Sequence, residues 1–238
     1  MINTIKKILT FFNLEINRRP ISVTKKRQWL QDFDFKTILD IGANQGYFAK
    51  EMREMFPKAF IHCFEPLPDC FNQLLRNTQK DNLILCYPVG LGNQSEILTM
   101  YQNDYSPSSS LLEMTDLHIR NFPQTEHTRP QQVAIQRLDD LLKDTTLQAP
   151  ILVKIDVQGF EDKVIEGGQL ILKQADALLI EMSFVPLYHE QLLFHDIYGL
   201  LTDLGFEFRG AYHQLFDDKD GSVLQIDGIF INKKSATR

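Results

Sequence analysis

The residues best suited to chemistry begin with the stretch I-L-D-I-G-A-N-Q-G, residues 38–46, in which Asp40 precedes a glycine-rich turn. Gly42 lets the backbone approach a ligand closely, and Gly46 opens a helix without a side chain in the way. A dinucleotide site needs G-x-G-x-x-G and helix N–H groups that face a pyrophosphate. An acid at this position repels a pyrophosphate but attracts the ammonium and sulfonium groups of S-adenosylmethionine. The alternative is a plain strand-to-helix turn in an unrelated α/β protein.

A second acid, Glu65, lies in the stretch C-F-E-P, 19 residues after Gly46 and at the end of a strand-like run. An α/β nucleotide site places a carboxylate there to accept hydrogen bonds from ribose hydroxyls. Glu65 is therefore predicted to bind a ribose, although an isolated Glu at a strand end is more often a solvent-exposed residue without a ligand. Pro66 then turns the chain.

A third group of acids lies in V-K-I-D-V-Q-G-F-E, residues 153–161. Asp156 follows a buried strand, where its carboxylate can accept a proton from a substrate hydroxyl or hold the charged end of a cofactor. Glu161 lies in the first turn of the next helix, and favourable placement at a helix N-terminus explains it as well as a catalytic role does.

Four histidines are weaker candidates for a general base near neutral pH. A surface or structural role is favoured for each of them: His118, His127, His189 and His195. His189, which follows a strand through F-V-P-L-Y, is retained beside Asp156 as a candidate catalytic residue. The stretch R-L-D-D-L-L predicts a helix start with Asp139 and Asp140 as capping acids. No metal site is predicted.

The elements that must position these residues alternate between strand and helix from residue 36. Continuous apolar strands of this kind indicate a doubly wound, mainly parallel sheet that is covered on both faces. The polar turn D-D-K-D-G-S predicts a hairpin and therefore an antiparallel pair at the end of the chain. The predicted strands are residues 37–41, 60–64, 83–89, 151–155, 177–180, 206–211 and 224–231, and the predicted helices include residues 71–78 and 190–204.

Residues 101–132 interrupt this alternation. The stretch is polar and contains three prolines and the sequence S-P-S-S-S. A loop of this length in a compact domain is usually a functional lid or a disordered excursion, and we favour a lid that faces the substrate.

The ordered series D-I-G-A-N-Q-G, F-E-P, V-G-L-G-N, R-L-D-D-L and K-I-D-V-Q-G-F-E resembles the FkbM family of methyltransferases over residues 36–232. The resemblance implies the Rossmann-like class I methyltransferase fold, with a seven-stranded sheet whose last strand is antiparallel. It also implies methyl transfer to a hydroxyl, often on a sugar or a secondary metabolite. Gln158 stands where many members have Glu.

The resemblance also implies roles for individual residues. The methionine part of the cofactor would lie against Asp40, Gly42, Ala43, Asn44 and Gly46, and the ribose against Glu65 and Pro66. Val89, Gly90 and Leu91 would lie near the adenine, Ser109 and Ser110 would approach the cofactor, and Asp156 would lie close to the transferred methyl group.

Length and charge limit the remaining choices. A chain of 238 residues with 43% hydrophobic residues fits a domain over residues 36–238 after a short extension, residues 1–35. Residues 1–27 carry seven basic residues against Glu15, so the rest has a net charge of −12 within the total of −6. An acidic body argues against nucleic acid as a partner.

The extension is predicted to be a basic amphipathic helix, with apolar residues at helical spacing. Packing on the domain is the favoured interpretation, and weak contact of residues 1–27 with an anionic membrane surface is the alternative. Cys63, Cys70 and Cys86 show no paired spacing, so we expect reduced thiols and a cytoplasmic protein.

The sequence therefore favours an S-adenosylmethionine-dependent O-methyltransferase that acts on a hydroxyl of a sugar, a glycan or a small metabolite. A nicotinamide-dependent oxidoreductase is disfavoured because the second and third glycines of its motif are missing. A non-catalytic domain that binds a nucleoside or a membrane surface is the other alternative. The oligomeric state is left open.

Overall fold

The computed structural model describes residue 30, residues 32–103 and residues 108–235. The chain divides into two compact units, residues 1–33 and residues 34–238. The predicted N-terminal helix and its membrane contact lie outside the described residues. No helix in the described part of the chain is long and apolar enough to cross a membrane.

All five residues of the first strand, β1 (Thr37–Ile41), are buried, which requires a cover on both faces of the sheet. The main sheet has seven strands, and its order is that of a doubly wound fold, with β1 near the middle. Its strands, in spatial order, are β3 (Ile84–Tyr87), β2 (Phe60–Phe64), β1 (Thr37–Ile41), β7 (Ile151–Ile155), β8 (Ala177–Ser183), β10 (Val223–Asn232) and β9 (Phe206–Phe216).

Only β10 runs against its neighbours in this sheet. It pairs antiparallel with β8 and with β9, which it follows through a hairpin turn, while the other strand pairs are parallel. The predicted mainly parallel sheet with an antiparallel last strand is therefore confirmed.

The helices alternate with these strands, and several bounds differ from the predicted ones by a few residues. The second helix begins at Pro68, because a proline suits the first turn of a helix. The helices are α1 (Tyr47–Met55), α2 (Pro68–Thr78), α3 (Asp116–Asn121), α4 (Leu138–Leu141), α5 (Glu161–Gly167), α6 (Gln169–Leu172) and α7 (Phe194–Asp203), with a 3₁₀ turn at Pro123–Thr125.

A second, three-stranded sheet corrects the expectation for residues 101–132. Its central strand β6 (Thr128–Gln136) pairs antiparallel with β5 (Glu96–Asn103) and parallel with the short β4 (Gly90–Leu91). The two ends of the stretch 101–132 therefore belong to β-strands and not to a loop. Pro130 fits within β6 because Tyr101, the residue opposite it, directs its backbone N–H and C=O to Ser110 instead.

Asp139 also acts differently from the prediction. A helix does start at Leu138, but the Asp139 carboxylate accepts hydrogen bonds from the backbone N–H groups of Leu170 (3.1 Å) and Ile171 (2.9 Å). It therefore caps α6, a helix that begins 30 residues later in the chain. The sequence alone does not show that the two lie close together.

The turns after β1 and β7 meet at Gly42. Gly42 has a positive φ of 82°, and a Cβ atom at this position would lie 1.8 Å from the carbonyl oxygen of Asp156. The backbone N–H of Asp156 donates to the carbonyl of Ile41 (3.0 Å) and joins the same two turns. A glycine is required here by the neighbouring backbone, whatever ligand the turn binds.

We predict that Gly42→Ala destabilises the fold strongly. The left-handed conformation alone costs about 1–2 kcal/mol for an L-residue, and the overlap with Asp156 adds to that cost. Urea denaturation measures the change in the free energy of unfolding. Gly199→Ala is the matched control, because Gly199 lies in α7 with open space around it and should gain about 0.5–1 kcal/mol. Equal stabilities of the two variants would contradict the close contact at Gly42.

Candidate functional site

A cavity of about 920 Å³ lies at the carboxyl ends of the parallel strands. Its size is near the upper end of small-molecule pockets, about 300–1,000 Å³. Open α/β sheets bind their ligands at this edge, where the strand order switches. The described residues that line one half of it include Gly42, Ala43, Asn44, Gln45, Tyr47, Phe48, Glu65, Pro66, Gly90 and Leu91.

Glu65 is the best-positioned acid in this half. The residue is 4% exposed, and its carboxylate accepts hydrogen bonds from the backbone N–H groups of Asn44 and Leu67, both at 2.8 Å. Burial raises the pKa of Glu65 to about 7, although these two N–H groups oppose the shift. A carboxylate has about four acceptor positions, so two remain for a ligand.

The Asp40 side chain lies in the interior of the sheet and does not line the cavity. Neither of its carboxylate oxygens has a hydrogen-bond partner among the described residues, and its closest charge is the Lys154 ammonium at 3.8 Å. Burial raises the pKa of Asp40 to about 6, with Lys154 acting in the opposite direction. Asp40 therefore acts on the site through Lys154 rather than by direct contact.

Lys154 is the only Lys or Arg among the described residues that line the cavity. Its ammonium lies 3.0 Å from Asp156 and 5.3 Å from the centre of the Phe48 ring. Burial alone would lower the pKa of Lys154, but Asp156 and Asp40 outweigh it and raise that pKa. The lysine therefore stays charged and compensates the acids beside it.

Asp156 lines the cavity with a side chain that is 31% exposed. Its second carboxylate oxygen accepts a hydrogen bond from the Gln158 side chain (2.8 Å). The same Gln158 nitrogen donates to Glu181 (2.8 Å), and the Gln158 side-chain oxygen accepts from the Tyr188 hydroxyl (2.7 Å). The amide nitrogen can donate to both acids, whereas a glutamate at this position would have no donor when ionised and a single O–H when protonated.

Glu161 stabilises the turn after β7 and does not line the cavity. It is 2% exposed, and one of its oxygens accepts from the N–H groups of Val157 (3.1 Å) and Gly159 (3.2 Å). Burial raises the pKa of Glu161 to about 7. Its contacts are those of a residue that holds Asp156 and Gln158 in place.

The remaining sequence-predicted residues separate into two groups. Ser109 lines the cavity, and its hydroxyl accepts from the N–H of Asn103 (2.9 Å). Ser110, Val89 and Gly46 do not line it: Ser110 donates to the Gln158 carbonyl (2.5 Å), and Gly46 ends the turn before α1. His189 is exposed and lies outside the cavity lining, so the structure does not bring it to Asp156.

The stretch between β5 and β6 forms one wall of the cavity, through residues that include Ser108, Leu111, His118, Phe122 and Gln124. His118 is 3% exposed, and its ring lies 5.2 Å from that of Phe122 and 5.0 Å from that of Tyr188. Burial lowers the pKa of His118 to about 4, so the ring is neutral near pH 7. The stretch faces the cavity as expected, and its closure as a lid stays a prediction.

Several residues that line the other half were not singled out from the sequence. They are Lys154, Glu181, His213, Gln225 and Asp227, which lie on strands β7, β8, β9 and β10 of the main sheet. A signal was present for three of them, because Lys154, Glu181 and Asp227 are charged residues inside otherwise apolar runs. For His213, which lies in a mixed polar strand, no such signal exists, and Gln225 is an uncharged polar residue in the same run as Asp227.

Comparison with known proteins agrees with this geometry. Residues 40–208 match the model of the methyltransferase FkbM domain, which is more than half of the chain. The chain is 26% identical to the 2-O-methyltransferase NoeI of Sinorhizobium fredii over 79% of this chain and 77% of that protein. It is 25% identical to the methyltransferase sdnD of Sordaria araneosa over 71% of this chain and 73% of that protein.

Among solved structures, the methyltransferase FkbM of Methylobacillus flagellatus superposes with a TM-score of 0.50 at 15% identity. The match covers 83% of this chain and 44% of that one, so the chain spans less than half of that protein's length. At this identity the likeness supports the fold.

Proposed function

Since this chain belongs to the FkbM methyltransferase family, we propose that it transfers a methyl group from S-adenosylmethionine to a hydroxyl of a sugar, a glycan or another small metabolite. The observation that carries the proposal is the pairing of the Gly42–Asn44 turn with the buried Glu65 carboxylate in one cavity. The name of the relative NoeI, a 2-O-methyltransferase, supports an oxygen atom as the methyl acceptor.

The polar and charged groups that line the cavity fit S-adenosylmethionine. The ribose hydroxyls would donate to the two free acceptor positions of Glu65, and the adenine would lie near Gly90 and Leu91. The positive groups of the cofactor would face Glu65 and Asp156, two acids against the single lysine, Lys154, among the described lining residues. When bound, the cofactor supplies a methyl group that is activated by a sulfonium.

The chain itself must align the acceptor and take its proton. Alignment can contribute roughly 7–11 kcal/mol, and a general base about 10²–10⁴-fold in rate. We assign the proton to Asp156, whose carboxylate reaches the cavity and has the Lys154 ammonium beside it. His189 has no geometric support for a part in this step.

The two alternative functions are not favoured. A nicotinamide-dependent oxidoreductase or a non-catalytic binding domain would not account for the match to a methyltransferase family over residues 40–208. Calorimetric titration with S-adenosylmethionine and with NAD tests the choice of cofactor, and binding of NAD alone would overturn the proposed function.

We predict that the affinity for S-adenosylmethionine rises about tenfold between pH 6 and pH 8. The pKa of Glu65 is about 7 in the free protein, and hydrogen bonds from ribose hydroxyls favour the ionised carboxylate, so binding releases a proton. The same raised pKa means that the free energy of unfolding of the ligand-free protein decreases as pH rises from about 4.5 to 7.

Calorimetry at several pH values measures this effect. Glu65→Gln keeps the shape but cannot ionise, so it should bind tens-fold more weakly, on the scale of about 1.5–3 kcal/mol per charged hydrogen bond, and with a flatter pH profile. Glu54→Gln, on the exposed face of α1, is the control and should behave as the wild type. Unchanged affinity and pH profile in Glu65→Gln would remove Glu65 from the site.

We predict that Asp156→Asn lowers turnover by roughly 10²–10⁴-fold and leaves cofactor affinity nearly unchanged. Asparagine keeps the shape of the side chain and removes the base. Transfer of labelled methyl groups to a panel of glycans and metabolites measures turnover, and calorimetry measures binding, with exposed Asp144→Asn as the control. A collapse of cofactor binding would make Asp156 a cofactor ligand, and unchanged turnover would show that the proton leaves by another route.

Residues 1–27 support a separate and weaker proposal. Their net positive charge suits an anionic membrane surface, and such attraction decreases as salt increases. Sedimentation with anionic vesicles at low and high salt tests it, and no binding at low salt would contradict it. The spacing of the three cysteines, which predicts no disulfide framework, supports our further proposal of a cytoplasmic location, which fractionation of the source cells tests.

A further inference from the structure

The half of the cavity away from Glu65 has a polar wall built from three neighbouring strands. Asp227 on β10 is the register partner of Glu181 on β8 and of His213 on β9. Directly opposed residues on adjacent strands place their side chains on the same face of a sheet, and all three line the cavity. The three residues form a continuous row. We use the name acceptor wall for this row and Gln225 together.

Gln225 lies two residues before Asp227 and therefore on the same face of β10. It is 7% exposed, and its side-chain nitrogen has no hydrogen-bond partner among the described residues. His118, on another wall of the cavity, is 3% exposed, and neither of its ring nitrogens has a described partner. A buried polar group left without a partner costs about 1–3 kcal/mol, so two of them beside one cavity point to a ligand that bonds with them.

The charge of this half is unbalanced. Asp156, Glu181 and Asp227 face the cavity with only Lys154 as a compensating Lys or Arg among the described lining residues, and Asp156 already occupies that lysine. Burial and the neighbouring Asp156 raise the pKa values of Glu181 and Asp227. A ligand that brings hydroxyl or ammonium donors would stabilise these buried carboxylates, whereas an anionic ligand would lose its hydration beside charges of the same sign.

We propose that the acceptor wall, with His118 opposite, selects a polyhydroxyl acceptor whose end inside the cavity carries no carboxylate, sulfate or phosphate. Hydroxyl or amino groups of the acceptor donate to Glu181 and Asp227, and Gln225 and His118 bond to its oxygens. This inference rests on the proposed function, since it assigns the half of the cavity that the cofactor leaves free.

Saturation-transfer difference NMR tests the proposal with three matched probes, methyl glucoside, methyl glucosaminide and methyl glucuronide. The full chain is saturated with S-adenosylhomocysteine, whose binding is verified first by calorimetry. We expect the neutral and amino probes to bind and the glucuronide to bind at least about tenfold more weakly, because its carboxylate would lie beside Glu181 and Asp227.

Asp227→Asn should reduce the discrimination against the glucuronide several-fold, and Asp218→Asn, exposed on the hairpin turn, should leave it unchanged. Retained affinity for S-adenosylhomocysteine shows that each variant is folded. Equal or tighter binding of the glucuronide to the wild type would overturn the proposal, as would binding of none of the three probes. Failure of S-adenosylhomocysteine to bind would instead overturn the proposed function, so the two failures are distinguishable.

Discussion

The charge of Lys154 is the constraint on which the rest of the site depends. Its ammonium is held between Asp156 at 3.0 Å and the fully buried Asp40 at 3.8 Å, in the middle of the sheet. Removal of one partner from a buried group of charges typically costs about 3–5 kcal/mol, because the remaining charge has no compensation. Lys154, on β7, therefore offsets part of the negative charge at this edge of the sheet.

This arrangement explains how the cavity acquires two different halves. On the side of β1 and β2, backbone N–H groups donate to Glu65 and leave it two acceptor positions for a ligand. On the side of β8 and β10, side chains surround the space, and Gln158 connects Asp156 to Glu181. The boundary between the halves falls at Asp156, which is where a methyl group would pass from cofactor to acceptor.

The sequence predicts the first half well because its determinants are local. The glycine turn and Glu65 each follow an apolar strand directly, and parallel strands bring their carboxyl ends to one edge. The seven strands and the antiparallel last pair follow from the same apolar periodicity and from one polar turn. The main gap is the second sheet, whose strands β5 and β6 are half exposed and contain polar residues and Pro130.

The second half depends on register between distant segments. Asp227 faces Glu181 and His213 only because β10 pairs with both β8 and β9 in one particular alignment. A shift by one residue would turn Asp227 to the other face. The position of His189 after β8 suggests the edge of the sheet, but the turn that carries it leaves it exposed and outside the described cavity lining.

We propose that one cavity holds the cofactor at Glu65 and presents its methyl group at Asp156. A crystal structure of the protein with S-adenosylhomocysteine tests this most directly. We expect both ribose hydroxyls to lie within hydrogen-bond distance of the Glu65 carboxylate and the sulfur to face Asp156 and the acceptor wall. A nucleoside bound away from Glu65, or a sulfur directed away from Asp156, would contradict it.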